Sequence, residues 1–339
     1  MNRVRLHRHT LALVIAAVAG CVVAPAVVAG NVAGKVADPG FGPWGDPQYV
    51  VAINTTAAAE GCPIESPDGR ELYIASNRSA PGAQGKLDIY RAFRSRNGQD
   101  WTQPENLGTP VNTPEFDYCP TPLPGHWLLF ISSRAEADDC YPGAAAPSPA
   151  APGAPAPGDI YLSIEFLRGK WLRPLHLGCY PNGPSTAGAE FSPSLLPAIG
   201  ETYLYFSSDG YPDSQGQDIY MSRILRDGTV TPGKRVAELS TAADDRMPNV
   251  RRDGLEIVFS SNRAGATPFN QDIYVATRKS IHSPWSAPKR IENPFVNTPG
   301  SETRATLSGD GTRLYFGRKV NADDPGDVFV STRSRSRGR

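Results

Sequence analysis

Five acidic residues recur along this chain in one local setting: Glu60, Asp117, Glu190, Asp245 and Glu302. Four stand three residues before a proline, namely Pro63, Pro120, Pro193 and Pro248, and Glu302 stands three before Ala305. Carboxylates gathered into a ring supply hard oxygen ligands of the kind Ca²⁺ takes, or a mouth for a cationic or polyhydroxylated ligand. The competing reading is structural: each acid accepts hydrogen bonds from amides of the neighbouring unit. Arg304 follows Glu302 by two and can share its side of a strand, whereas Arg246, next to Asp245, points the other way. A second set of acids opens the D-I-Y-type motifs: Asp88, Asp159, Asp218, Asp272 and Asp327. S-x-R arginines Arg78, Arg134 and Arg263 accompany three of them, Arg318 holds the matching place after Gly317, and Asp209 takes it in the third copy. Acid and base flanking one loop are expected to pair or to cap its amides. Recurrence in every copy favours a structural role, because catalysis needs unlike groups in unlike roles.

Other catalytic chemistry is thinly provided for. Beyond the N-terminal segment the histidines are His126, His176 and His282, in different copies and on a turn, an outer strand and another turn. No triad or metal site assembles from them. There is no G-x-S-x-G elbow, P-loop or H-E-x-x-H. An enzyme built on this chain would have to work with carboxylates.

The elements that position these residues follow from the repeats. Each unit runs from the leading acid through a turn such as Pro67-Asp68-Gly69 or Asp253-Gly254 to a β-rich run: LYIASNR, LLFISSR, YLYFSSD, LEIVFSSNR or LYFGR. A D-I-Y-type strand comes next. A fourth strand is marked by a tryptophan three residues before a proline: Trp101 and Pro104, Trp171 and Pro174, Trp285 and Pro288, with Thr229 and Pro232 in the third copy. The fifth copy has no such strand after it. Trp44 and Pro47 instead precede the first copy and lead to Ile53-Asn54-Thr55, matching Val111-Asn112-Thr113 and Val296-Asn297-Thr298. The N-terminal strand therefore completes the last unit. This predicts an all-β fold: a single closed five-bladed β-propeller with four antiparallel strands per blade. An open array would leave sheet edges and an apolar face exposed.

These motifs over residues 41–333 resemble the WD40-like repeat of the TolB propeller and the propeller repeats that accompany OmpA-type envelope proteins. The resemblance implies fold more than function. TolB's extra N-terminal α/β domain has no counterpart here, so a Tol-Pal role is not implied. Five-bladed propellers also include glycosidases, which set two or three acids around the central channel. That likeness supplies the alternative reading.

Residues 1–29 read as an export signal: Arg3, Arg5 and Arg8, then an apolar run from Leu11 to Val23, then Val27-Val28-Ala29 before Gly30. Val18-Ala19-Gly20-Cys21 resembles a lipobox, giving lipidation at Cys21 as the second reading and an uncleaved anchor as the third. All three put the propeller outside the cytoplasm: periplasmic, envelope-anchored or extracellular. Residues 30–40 are a linker. The remaining cysteines, Cys62, Cys119, Cys140 and Cys179, are even in number and suit disulfides. In a propeller, Cys140 and Cys179 lie in loops emerging on one face and form the first pairing. Cys62 and Cys119 hold one position in adjacent blades and form the second. No C-x-x-C spacing supports a cysteine metal site. The formal net charge of zero gives no electrostatic case for nucleic acid. A Pro/Ala insert from Ala144 to Pro157 reads as a surface loop, and the basic tail of residues 334–339 as solvated chain. The resulting expectation is a monomeric, non-enzymatic binding or scaffold module of the cell envelope or exterior. It would recognise a protein or glycan through one face, without a cofactor unless the acid ring takes Ca²⁺. The alternative is a carboxylate-based, glycosidase-like enzyme with its site at the channel mouth.

Overall fold

The computed structural model describes residues 40–335 except 97, 99, 136–139, 141–156, 199 and 265–269. The expected export segment, nearly all of the expected linker, most of the Pro/Ala insert and the last four residues of the tail therefore lie outside the described residues. No helix among the described residues is long and apolar enough to cross a membrane. The strands form five separate antiparallel sheets, one per repeat. Blade 1 has the strands Glu60–Glu65, Glu71–Ser76, Asp88–Phe93 and Glu105–Asn106. The same order recurs from Asp117 in blade 2, Phe191 in blade 3, Asp245 in blade 4 and Ser301 in blade 5. Blade 2 carries an additional short strand, Lys170–Trp171.

Second strands such as Glu71–Ser76 and Glu256–Ser261 are buried almost throughout. Each blade is covered on both faces by its neighbours, so the period-2 alternation of a half-exposed strand is replaced by continuous apolar runs. The first hairpin of blades 1 and 5 turns through a shared device. Asp68 Oδ1 accepts from Ser66 Oγ at 2.6 Å and from Arg70 N at 3.1 Å, with Gly69 at φ +73°. Asp310 does the same with Ser308 and Thr312, beside Gly311 at φ +72°.

Closure occurs as the repeats require. Gln48–Tyr49 pairs with Asp327–Thr332 in the register Gln48↔Val330, Tyr49↔Phe329. Asn54 extends the seam, donating to Val328 O and accepting from Val328 N. Blades are tied to one another by a recurring backbone bond. The amides of Glu60, Asp117, Glu190, Asp245 and Glu302 donate to the carbonyls of Gly326, Leu87, Gly158, Gln217 and Gln271, the residue before the D-I-Y-type strand of the preceding blade.

The tryptophans of three blades lie under arginines, Trp101 and Trp285 buried and Trp44 partly buried. The guanidiniums of Arg94, Arg278 and Arg333 lie 4.1, 4.1 and 4.2 Å from the ring centres of Trp101, Trp285 and Trp44. Each arginine also donates Nε–H to the carbonyl of a hairpin glycine: Gly69, Gly254 or Gly311. In blade 3 the tryptophan's place belongs to Val230 rather than Thr229. Val230 bridges Ile224 as Trp101 bridges Arg94, and Thr231 bonds Arg223 as Thr102 bonds Phe93.

Candidate functional site

The five leading acids are buried, each at most 2% exposed. Every one braces the connector that enters its blade. Asp117 Oδ2 accepts from the amide and hydroxyl of Thr113, both at 2.7 Å, while Oδ1 accepts from Ser132 Oγ at 2.5 Å and Arg134 Nη2 at 2.9 Å. Glu60 takes Thr55, Ser76 and Arg78, Asp245 takes Thr241, Ser261 and Arg263, and Glu302 takes Thr298 and Arg318. The arginines also donate to a connector carbonyl two residues before the threonine: Ile53, Val111, Leu239 and Val296. Each guanidinium lies over the aromatic ring of the D-I-Y-type motif, from 4.6 Å for Arg318 on Phe329 to 5.3 Å for Arg78 on Tyr90. Burial pushes the Glu60 and Glu302 carboxyls above the usual range, with threonine and arginine donors pulling the other way. A cation entering this ring would have to displace those donors.

Three sequence expectations change here. The S-x-R arginines pair with the leading acids rather than with the D-I-Y-type aspartates. Arg318 stands opposite Glu302, at the register position of Ser76 opposite Glu60, two places earlier than the other arginines. Its length lets it reach the same carboxylate. Asp209 does not replace an arginine: it accepts from Ala189 N, as Asn77 accepts from Ala59 N and Asn262 from Asp244 N. The residue in the arginine's place is Gly210, where a Cβ would lie 1.9 Å from Thr186 Oγ1. Tyr211 does the missing work. Its hydroxyl donates to Pro184 O at 2.7 Å, the connector carbonyl of this blade, and its ring stacks on Tyr220 at 4.2 Å. Glu190 is left with hydroxyl and amide donors only, Thr186 and Ser208. Burial first, and the charge of Asp159 second, push its carboxyl well above the usual range.

The D-I-Y-type aspartates take their partners from the outer strand, at the residue opposite the motif's aromatic. Asn106, His176, Arg235, Arg290 and Tyr49 bond Asp88, Asp159, Asp218, Asp272 and Asp327 in turn. Both expected disulfides are present, Cys62–Cys119 between adjacent blades and Cys140–Cys179 within blade 2. His176 lies 3.7 Å from Cys140 Sγ and 3.0 Å from Asp159 Oδ2, so the histidine that seemed isolated in the sequence stands against a disulfide.

Apart from His126, the residues of one groove with room for a ligand were not singled out from the sequence. On the face carrying the hairpin turns, a groove of about 430 Å³ lies between blades 1 and 2. Its floor is an ion-pair network. Arg91 grips Glu165 of the next blade through two bonds of 2.7 and 2.9 Å and reaches Glu71 at 3.4 Å. Phe93 is flanked by the guanidiniums of Arg91 and Arg168, each 4.9 Å from its centre. His126, exposed Phe166 and exposed Leu167 form the rim, the last two 54% and 65% exposed. Burial acts to raise the Glu165 carboxyl, but the bonds from Arg91 and Gly169 outweigh it and hold the group below its usual value. One signal was readable: Glu165 stands where blades 1, 4 and 5 carry the clamping arginines Arg94, Arg278 and Arg333.

No family model matches the chain. No curated protein matches it. Solved structures do. A structure described as a glycoside hydrolase matches at 13% identity, covering 88% of this chain and 93% of its own, with a TM-score of 0.55. An endo-arabinase from Bacteroides thetaiotaomicron matches at 14% identity, covering 86% and 99%, with a TM-score of 0.51. TolB from Acinetobacter baumannii matches at 16% identity over 81% of this chain and 52% of its own, with a TM-score of 0.42. At these identities the first two likenesses support the five-bladed propeller fold alone, and the WD40-like family is not shown.

Proposed function

We propose that this protein is an exported propeller that engages carbohydrate in the groove between blades 1 and 2. The observation that carries the reading is the groove itself: an exposed aromatic, Phe166, beside a fixed planar polar network of Arg91, Glu165 and Glu71. Sugars present apolar C–H faces and rings of hydroxyls, which such a pairing can stack against and hydrogen-bond. The two disulfides fit an oxidising compartment outside the cytoplasm. The names of the matched hydrolases add weight to carbohydrate over a protein scaffold as the ligand class. They support the enzymatic alternative better than a purely binding role.

That hydrolytic reading has one observation of its own. Glu71 and Glu165 converge on the same nitrogen of Arg91, which keeps the two carboxyls within the separation of up to about 9.5 Å that glycosidases use. A glycan array followed by calorimetry on positive oligosaccharides tests both readings. Phe166→Ala and Arg168→Ala are expected to weaken binding about tenfold or more, in line with roughly 1–3 kcal/mol for a lost stacking or ionic contact. Release of reducing ends that disappears in Glu71→Gln and Glu165→Gln establishes the enzyme. Absence of any glycan binding, with a protein recovered from envelope extract by the wild type and lost with Phe166→Ala, overturns the carbohydrate reading.

A further inference from the structure

At the centre of the propeller, five equivalent residues take up a left-handed backbone although none is glycine: Cys62, Cys119, Ser192, Met247 and Arg304, with φ between 48° and 58°. They follow the leading acids by two residues and sit at the bulge of each innermost strand. A disulfide joins the first two, and Ser192 Oγ turns to Cys119 Sγ at 3.4 Å, a weak acceptor. Met247 is apolar. Arg304 is the exception in this ring, a cation with 0% exposure.

Arg304 does not pair with Glu302, its neighbour two residues back, which is taken by Arg318 and Thr298. It crosses to blade 2 instead, where Nη2 donates to Pro120 O at 3.1 Å and Thr121 Oγ1 at 3.0 Å. Both acceptors are neutral. Nε and Nη1 are buried and find no acceptor among the described residues. No carboxylate lies within ion-pair distance of it among them either. Burial alone pushes its pKa down to about 9, so it stays charged at neutral pH. The other arginines that are buried among the described residues, Arg78, Arg91, Arg134 and Arg251, each rest against an acid. An isolated charge in a low-dielectric interior is among the most costly arrangements a fold can hold, and a guanidinium cannot escape by losing its proton.

We propose that the channel holds a small monovalent anion of the halide class, bound by Nε–H and Nη1–H of Arg304. Complete burial restricts the ligand to something close to a chloride ion in size. Ser192, at the equivalent position in blade 3, spends its hydroxyl on the weak acceptor Cys119 Sγ, so the proposal rests on Arg304 alone. This site is separate from the carbohydrate groove and does not depend on it.

Bromide tests it directly. Crystals of the full mature protein grown or soaked in sodium bromide should show an anomalous peak within hydrogen-bond distance of Arg304 Nε and Nη1. In solution, the wild-type Tm should be higher in chloride or bromide than in gluconate at equal ionic strength, by about 3 °C or more once the halide is well above its Kd. Arg304→Met should lose that difference. A bromide map without a peak beside Arg304 overturns the proposal, whatever the variant does. So does a halide effect that survives unchanged in Arg304→Met.

Discussion

At the scale of single residues, blade 3 shows what the leading acids are for. In four blades a carboxylate, an arginine and a connector carbonyl form one brace, and removing the arginine's partner strands a charge. In blade 3, Gly210 leaves no room for a side chain and Tyr211 takes the carbonyl. Glu190 then sits wholly buried with neutral donors, and burial raises its carboxyl well above the ordinary value, favouring the protonated form. Its folded pKa lies above its unfolded value, so its contribution is fully present below the ordinary value of 4.5 and is lost as pH rises from there toward the folded pKa. Glu190→Gln mimics the protonated group. The variant should therefore melt close to wild type at pH 4.5 and gain on it progressively toward pH 8, as read by thermal scans across that range. Asp245→Asn, by contrast, leaves the partly buried Arg263 beside a neutral amide and should cost about 2–3 kcal/mol at neutral pH. Equal losses in the two variants would show that blade 3 is braced by charge like the rest.

Single elements explain which parts of the molecule could be read in advance. The order of strands, the turns and the closing N-terminal segment are all local or periodic, and five copies of them leave little choice. The partner of each arginine was not legible, because pairing depends on which strands lie side by side. Arg78 is close in sequence to Asp88, yet the antiparallel first hairpin brings it to Glu60. Arg91 and Glu165, the floor of the groove, are 74 residues apart and meet only because blades 1 and 2 pack face to face. The W-x-x-P tryptophans mark the fourth strands in the sequence, and the structure shows what they pack against. Trp285, 6% exposed, has one side under Arg278 and its edge toward Tyr205 of blade 3. Trp285→Ala should accordingly cost about 3–5 kcal/mol in urea unfolding. Arg278→Met, which keeps the stem but loses the bond to Gly254 O, should cost about 1 kcal/mol. A Trp285→Ala protein as stable as wild type would show that this ring contributes nothing to the packing of blade 4.

For the whole molecule, the decisive contact is the seam where the two ends of the chain meet. A ring of blades keeps its edges short and protected only while its last sheet is complete. Here the outer strand Gln48–Tyr49 is short and exposed, so two backbone pairs alone would hold it weakly. Its surroundings hold it instead. Trp44 lies under Arg333, Asn293 of blade 4 donates to Trp44 O, Ser331 Oγ donates to Gly45 O, and Ile53 is entirely buried. Glu60 of blade 1 accepts from Thr55 on the same segment, so the N-terminal stretch bridges the fifth blade and the first. Burying Ile53 contributes about 1.5–3 kcal/mol, and the partly buried Trp44 adds a smaller share. The hydrogen bonds add about 1 kcal/mol apiece, and Arg333 and Arg78 would each lose a partner. Deletion of residues 41–55 should thus lower the melting temperature of the mature protein by about 10 °C or more. It should also expose the Asp327–Thr332 edge and favour association through it, detectable by light scattering. A truncated chain that stays monomeric and melts with the full one would mean that four and three-quarter blades suffice, and that the seam contributes nothing to holding the ring.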